Sequence, residues 1–233
     1  MFKLLSTANP KIQKGTKMGY LSFILHLAPA DLSGKNTCPK ATAGCKSACL
    51  NTAGRGGMFK KGENTNVIQK ARIRKTVQFF FDRDQFMKDL YHDIRKAIKF
   101  AEKQGLIPVF RLNGTSDLSW EKYTVGTTDM NLFQLFPTVQ FYDYTKVLGR
   151  KISQYPNYHL TFSKADGNDA DVAKALMQGM SVVAVYDEIP AGVPSADETD
   201  LRFLDPKGVM LGLKAKGRAK KNYSGFVIRL KTV

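Results

Sequence analysis

All three cysteines of this 233-residue chain fall within twelve residues, as Cys38, Cys45 and Cys49 in the run TCPKATAGCKSACLNTAGRGG. In a reducing compartment, an odd and clustered set of thiols reads as a metal or reactive site rather than as a disulfide framework. The intervening residues are small or polar, which lets the backbone fold tightly and turn its amides toward sulfur. Three thiolates are one ligand short of closing a four-iron–four-sulfur cluster or a tetrahedral zinc. On an iron–sulfur cluster that shortage leaves one iron open for a substrate or cofactor. Zinc is the alternative metal, with His26, His159 or a carboxylate as fourth ligand, but zinc sites group their cysteines in shorter pairs. Unliganded cysteines that pack as small hydrophobes are the third reading.

Polar residues gather at three further places. They are Arg111-Leu-Asn113-Gly-Thr115-Ser116-Asp117, Tyr142-Asp143-Tyr144-Thr145-Lys146, and Thr161-Phe-Ser163-Lys164. Asp143, Tyr144 and Lys146 bring a carboxylate, a phenol and an ammonium close together for acid–base work. The same side chains can instead pair with one another and cap a turn, as Ser116 and Asp117 can do ahead of Leu118. His26 and His159 lie in apolar runs, where a hydrogen-bonded structural histidine is the usual outcome, and His92 shares a polar helix face with Lys88, Arg95 and Lys99.

The elements that must position these groups alternate. An apolar run over 20–28 predicts a buried strand, and a Gly-, Thr- and Cys-containing loop follows over 29–63. Helical spacing predicts helices over 65–81 and 85–103, the second with Asp84 as N-cap and Gly105 as its end. Beyond them, strands are predicted at 107–112, 139–142, 158–162, 181–186 and 209–213, with helices near 130–136, 145–153 and 169–178 and a basic C-terminal hairpin over 207–233. That order predicts one α/β domain spanning 1–233, either a partial (β/α) barrel or a mostly parallel sheet with crossover helices. In such folds the carboxyl ends of the strands share one face, and the three polar clusters all sit at strand ends.

The formal charge is +16. Residues 1–100 carry 19 Lys/Arg against 6 Asp/Glu, and 101–233 carry 17 against 14. Such a field attracts polyanions, so nucleic acid or a nucleotide is the expected partner, with a solubility charge as the bland alternative. Two stretches could hold phosphate: Arg72, Arg74 and Lys75, and the run Lys214, Lys216, Arg218, Lys220 and Lys221. A charged edge that blocks aggregation explains the second stretch equally well. Tyr223 and Phe226 beside it could stack on bases, or Phe226 could belong to the core. No apolar run is long enough to span a membrane, and the first residues lack a signal-peptide pattern, so the expected location is the cytoplasm.

The cysteine loop directly after the first strand resembles the placement found in radical SAM enzymes, whose partial (β/α) barrels hold a four-iron cluster with one iron open for S-adenosylmethionine. Their usual C-x3-C-x2-C spacing with an aromatic before the last cysteine is replaced here by longer gaps and Ala48. The resemblance implies that Asn113, Thr115, Ser116 and Asp117 line the cofactor, with Asp117 facing its ammonium and Arg111 meeting a carboxylate or phosphate, and Ser163 is a further cofactor-binding candidate. Over nearly its whole length the chain is also similar to a group of uncharacterised tailed-phage proteins. The segments LAPADLSGKNTCPKA, RLNGTSDLSWE, FYDYTK, YHLTFSK, DLRFLDP and LKAKG carry that similarity. It implies a protein made in an infected host cell. Three functions stand as expectations: a radical-SAM-like iron–sulfur enzyme acting on a nucleotide, nucleic acid or other anionic substrate; a non-enzymatic nucleic-acid-binding protein with a structural iron–sulfur or zinc centre; or a protein that captures a host factor.

Overall fold

Six strands run parallel and lie side by side in the order in which the chain makes them. A computed structural model, which describes residues 2–7 and 14–230, gives β2 (Tyr20–Leu25), β3 (Ile107–Arg111), β4 (Gln140–Thr145), β5 (Tyr158–Ser163), β6 (Val182–Tyr186) and β7 (Met210–Lys214) as consecutive neighbours. A short β1 (Leu5–Ser6) joins the outer edge of β2 antiparallel. The path is open, with β1 at one edge and β7 at the other. No helix among the described residues is long and apolar enough to cross a membrane.

Strand periodicity sorts the side chains onto two faces. On one face Phe23, Phe110 and Phe141 meet helices α2 (Val67–Phe81) and α3 (Arg83–Glu102) through Phe79, Phe86, Leu90 and Ile94, all buried. Farther along the same face, Phe162 and Val182 pack on Val172 and Ala175 of α5 (Asp169–Met177). Among the described residues the other face carries no long α-helix, only a helical turn at 14–16, where Gly15 faces Leu201, and a 3-10 turn at Arg202–Leu204. There Val109 and Tyr142 meet Leu201, and Val183 and Leu211 meet Ala196, so the segment between β6 and β7 covers it. Sequential strand order with the long helices on one side is the winding of a partial barrel, whereas a doubly wound sheet reverses order and carries long helices on both sides.

Two short helices complete the set, α1 (Ala43–Ser47) in the cysteine loop and α4 (Leu132–Leu135), closed by an Asn131/Gln134 capping box. Residues 145–153 are turns instead of the expected helix. Thr145 Oγ1 accepts the Val147 amide at 3.0 Å and Gly149 takes φ +70°, both of which break helical continuity. The N-cap of α3 is Asp82, with Asp84 in the first turn. The C-terminal part is not a hairpin: β8 (Val227–Ile228) runs parallel to β6, not antiparallel to β7. Because β7 fills one edge of β6 from Val182 to Tyr186, β8 lies on the other edge, continuing where β5 leaves off after Val183. Residues 231–233 of the expected hairpin lie outside the described residues.

A buried polar lattice fixes the loops above the sheet. Asp143, fully buried on the helix face of β4, accepts the Asn113 amide at 2.7 Å and the Tyr158 hydroxyl at 3.0 Å. Arg150 donates to Tyr158 at 3.0 Å and pairs with Glu121. Burial pushes the Asp143 carboxyl up to about 7, against the opposing pull of the Asn113 amide and of Arg111 and Arg150. The folded state therefore holds a proton that the unfolded chain has released. That contribution to stability is complete below the ordinary value of 3.8 and is lost as pH rises to about 7. Asp143→Asn should thus gain on the wild type between pH 5 and pH 8, by about 2–4 kcal/mol in denaturant unfolding. Parallel pH profiles for the two proteins would show that Asp143 ionises normally.

Candidate metal centre at the carboxyl edge

The cysteine loop leaves β2 at its carboxyl end and is held there from several directions. From its own strand, Thr37 donates its hydroxyl to Ala28 O at 2.6 Å, and Thr76 of α2 accepts the Ala28 amide at 2.8 Å. Past β3, the Asp117 amide donates to Thr37 O at 2.8 Å, and the Cys38 thiol points to Thr115 O at 3.8 Å. Beyond β5, Asp166 accepts the Thr42 hydroxyl and the Gly44 amide, and so closes the first turn of α1. After β7, Asn222 donates to Ser47 Oγ at 2.6 Å. A side chain at Gly44 has no room, because a Cβ there would lie 2.4 Å from Asp166 Oδ1 and 2.0 Å from Ser224 Oγ.

Within this frame the sulfurs receive backbone donors. The Ala30 amide donates to Cys38 Sγ at 3.3 Å and the Asn51 amide to Cys49 Sγ at 3.5 Å. Ala30 adopts φ 47°, a left-handed conformation that costs an L-residue about 1 kcal/mol, on the turn that aims this amide. Burial raises the Cys38 thiol, and raises Cys49 to about 11. Cys38 also responds to the charges of Asp117 and Cys45, and Cys49 to those of Cys45, Cys38 and Arg72. Even so, among the described residues no three His, Cys, Asp or Glu side chains converge closely enough to hold a single metal ion.

Two polar atoms at this site have no partner. Arg72 donates through Nη1 to Asn51 Oδ1 at 2.6 Å and Asn51 O at 3.2 Å, but its Nε is buried and unmatched. Asp117 accepts the Lys146 amide through Oδ2 at 2.8 Å, whereas its buried Oδ1 accepts nothing. A partly buried guanidinium with an unpartnered Nε and a half-satisfied carboxylate beside three thiols are the features that a charged bound group would complete.

The other expected site residues separate. Asp143 and Tyr144 are neighbours on a strand and so face opposite ways: Asp143 lies in the lattice on the helix face, whereas Tyr144 donates to Asp200 Oδ1 at 3.4 Å on the far face. With Lys146, they do not form one acid–base cluster. Arg111 is committed to Asp200 at 2.9 Å and lies 4.6 Å over the Tyr144 ring, so its charge is already matched. Asn113 and Ser116 are internal: Asn113 Oδ1 accepts from Ser116 Oγ, the Leu118 amide and Trp120 Nε1 at 2.9, 2.9 and 3.0 Å. Thr115 donates to Leu27 O at 2.5 Å, and Ser163 offers its carbonyl to Asn168 at 3.0 Å. Arg72, Arg74 and Lys75 are not one phosphate patch. Arg72 turns into the cysteine loop, Lys75 donates to Leu4 O at 3.0 Å, and only Arg74 is exposed. Burial, then Arg72 and Arg74, lowers Lys75 to about 8. His26 is lowered to about 3 by burial and the nearby cations, and His159 to about 4, so both are neutral near pH 7. Lys214, Lys216, Arg218, Lys220 and Lys221 are all exposed, on β7 and a tight turn over Gly217–Lys221.

Sequence reasoning passed over Asp166, Thr42 and Asn222. A Thr directly before A-G-C-K is an N-cap signal, but nothing local links it to residues more than a hundred positions away. Asp166→Ala should release the first turn of α1. The expected outcome is a loss of about 1–2 kcal/mol and faster reaction of the cysteines with a thiol reagent in the folded protein. An unchanged labelling rate would show that the other anchors suffice.

No curated protein and no solved structure matches the chain. A family model described as Gene product 88 matches residues 3–230. With the match covering almost every residue, from β1 through the cysteine loop to β8, the chain belongs to the Gene product 88 family, a family of phage type.

Proposed function

We propose that this protein carries an iron–sulfur cluster on Cys38, Cys45 and Cys49 and acts as a radical-SAM-like enzyme on a nucleotide, nucleic acid or other anionic substrate. The observation that carries the reading is positional. The three-thiol loop leaves the first strand of a sequentially ordered parallel sheet and lies over the carboxyl ends of the others, where folds of this winding place their chemistry. A four-iron cluster with three protein thiolates supplies an open iron to a ligand such as S-adenosylmethionine.

The residues present fit such a group. Amides already point at two of the sulfurs, the arrangement that stabilises thiolates bound to iron. Arg72 supplies a partly buried positive charge, with its Nε unpartnered, beside Cys49, which suits an anionic cluster. The free Oδ1 of Asp117 is available to a cationic group of a second ligand, whereas the charge of Arg111 is matched by Asp200 and only its buried Nε lacks a partner.

Each of Cys38→Ser, Cys45→Ser and Cys49→Ser should lose most bound iron and sulfide after anaerobic reconstitution, because a hard hydroxyl replaces a soft thiolate and no ligand is spare. Full metal content in all three variants would end the cluster reading.

A second reading, a nucleic-acid-binding protein with a structural centre, is favoured by the exposed basic turn beside the cysteine loop. Calorimetry separates the two. The enzyme reading expects S-adenosylmethionine to bind the reduced, cluster-loaded protein, and Asp117→Asn to weaken binding about tenfold or more. No binding to a protein of verified iron content would leave the structural reading in place.

A further inference from the structure

We infer that the carboxyl edge bears a seat for single-stranded nucleic acid, built jointly by the cysteine loop and the turn after β7. This deepens the function proposed above by naming its partner, and rests on that reading only for the chemistry done on the bound strand. The seat itself needs no metal.

Charge is segregated in two stretches of sequence. Residues 38–61 contain five Lys/Arg and residues 214–230 contain six, and neither stretch contains an Asp or Glu. Folding brings the two together, through Asn222 on Ser47 at 2.6 Å and through Gly217, where a Cβ would stand 3.8 Å from that of Ala53. All of these cations except Arg229 are exposed. Acids from elsewhere pair only three of the eleven: Lys46 with Asp31, Lys216 with Asp197, and Arg229 with Asp187. The other eight have no ion pair among the described residues. Crowded like charges repel one another, a cost that a bound polyanion removes. By contrast, the cations on α3 alternate with Asp84, Asp89, Asp93 and Glu102, as on an ordinary solvated helix.

Aromatic surface decides which polyanion. Tyr223 is 79 % exposed, and the Arg229 guanidinium lies 4.1 Å over its ring. Arg229 is itself anchored on Lys220 O at 2.8 Å and Asn222 O at 3.1 Å, so the guanidinium is held over the ring from within its own turn. Across the edge, Met58 is 70 % exposed and Phe59 37 %, directly before Lys60 and Lys61. A duplex hides the faces of its bases, whereas a single strand can lay them on an aromatic ring while its phosphates meet the cations.

Binding of a labelled oligothymidylate of about 15 nucleotides, and of a duplex of equal length, would be followed by fluorescence anisotropy across a salt series. Wild type should prefer the single strand. Lys214→Gln, Arg218→Gln, Lys220→Gln and Lys221→Gln combined should flatten the salt dependence by about 0.7 for each phosphate no longer neutralised, and so should Arg55→Gln, Lys60→Gln and Lys61→Gln combined. Tyr223→Ala should weaken single-strand binding about tenfold with the slope unchanged. Lys96→Gln, Lys99→Gln and Lys103→Gln, on α3 and just past its end, serve as the control and should change little. Equal affinity for duplex with no effect of Tyr223→Ala, or a control that flattens the slope as much as either set, would overturn the seat. Circular dichroism checks the fold of each variant. Metal-free and iron-reconstituted proteins would be run in parallel with iron and sulfide assayed. Binding without a cluster would uphold the seat while the iron–sulfur reading fell alone, and a cluster without single-strand binding would do the reverse.

Discussion

The carboxylate of Asp143 organises the edge of the sheet from below. It fixes the Asn113 amide, and Asn113 in turn gathers Ser116, Leu118 and Trp120 around one side-chain oxygen. The loop folded in this way presents Asp117 to Thr37 and Thr115 to Cys38. A single buried acid thus helps to set, through two relays, where the first thiol of the cysteine loop lies. Such lattices are sensitive because a member left without its partner carries the full cost of desolvation. Asp143 is also where the protein tolerates a group that is neutral or charged near pH 7, with Tyr158 and Arg150 closing the lattice behind it.

The electrostatics around the cysteine loop are uneven. Arg72, His26 and Lys75 share one neighbourhood, and the protein limits their mutual repulsion by leaving His26 neutral and lowering Lys75 toward neutrality. Arg72 retains its charge against thiols that burial keeps protonated. Without a negative group this is a poor arrangement for stability, and proteins keep such arrangements where function needs them. The far face of the sheet differs, since Arg111 and Asp200 match one another and the segment that carries Asp200 seals the strands.

Much of the frame was legible in the residues. All six parallel strands stand out as apolar runs bounded by Gly, Pro or polar clusters, and α2 and α3 as helical periodicity long enough to average over exceptions. The features that escaped were short or long-range. Residues 43–47 make only one turn of helix among small polar residues, too few for periodicity to show. The stretch 145–153 has Leu148 and Ile152 at helical spacing, but Gly149 and the Thr145 hydroxyl direct the backbone otherwise. The thiols could be found by type and spacing, whereas their anchors Asp166 and Asn222 could not, because contacts closed by the whole sheet leave no local signature. One error was avoidable: Asp143 and Tyr144 are consecutive on a strand, and period two alone sends them to opposite faces.

The position of β8 sets the order in which the protein can be completed. This strand occupies the edge of β6 vacated by the end of β5, and the residues just before it, Asn222 and Ser224, are those that close over Gly44. The thiols are therefore synthesised early and enclosed late. A nascent chain that has emerged past β5 already has three of the anchors of its cysteine loop, from Thr37, Asp117 and Asp166, yet the side later covered by Asn222 stays open to solvent. The side of α1 that Asn222 covers is closed only when the last residues arrive, although all three thiols keep partial exposure. Releasing that cover needs β8 to leave β6, a local opening of two residue pairs and not a global unfolding. The last strand thus holds the cover of the cysteine loop in place as well as ending the sheet.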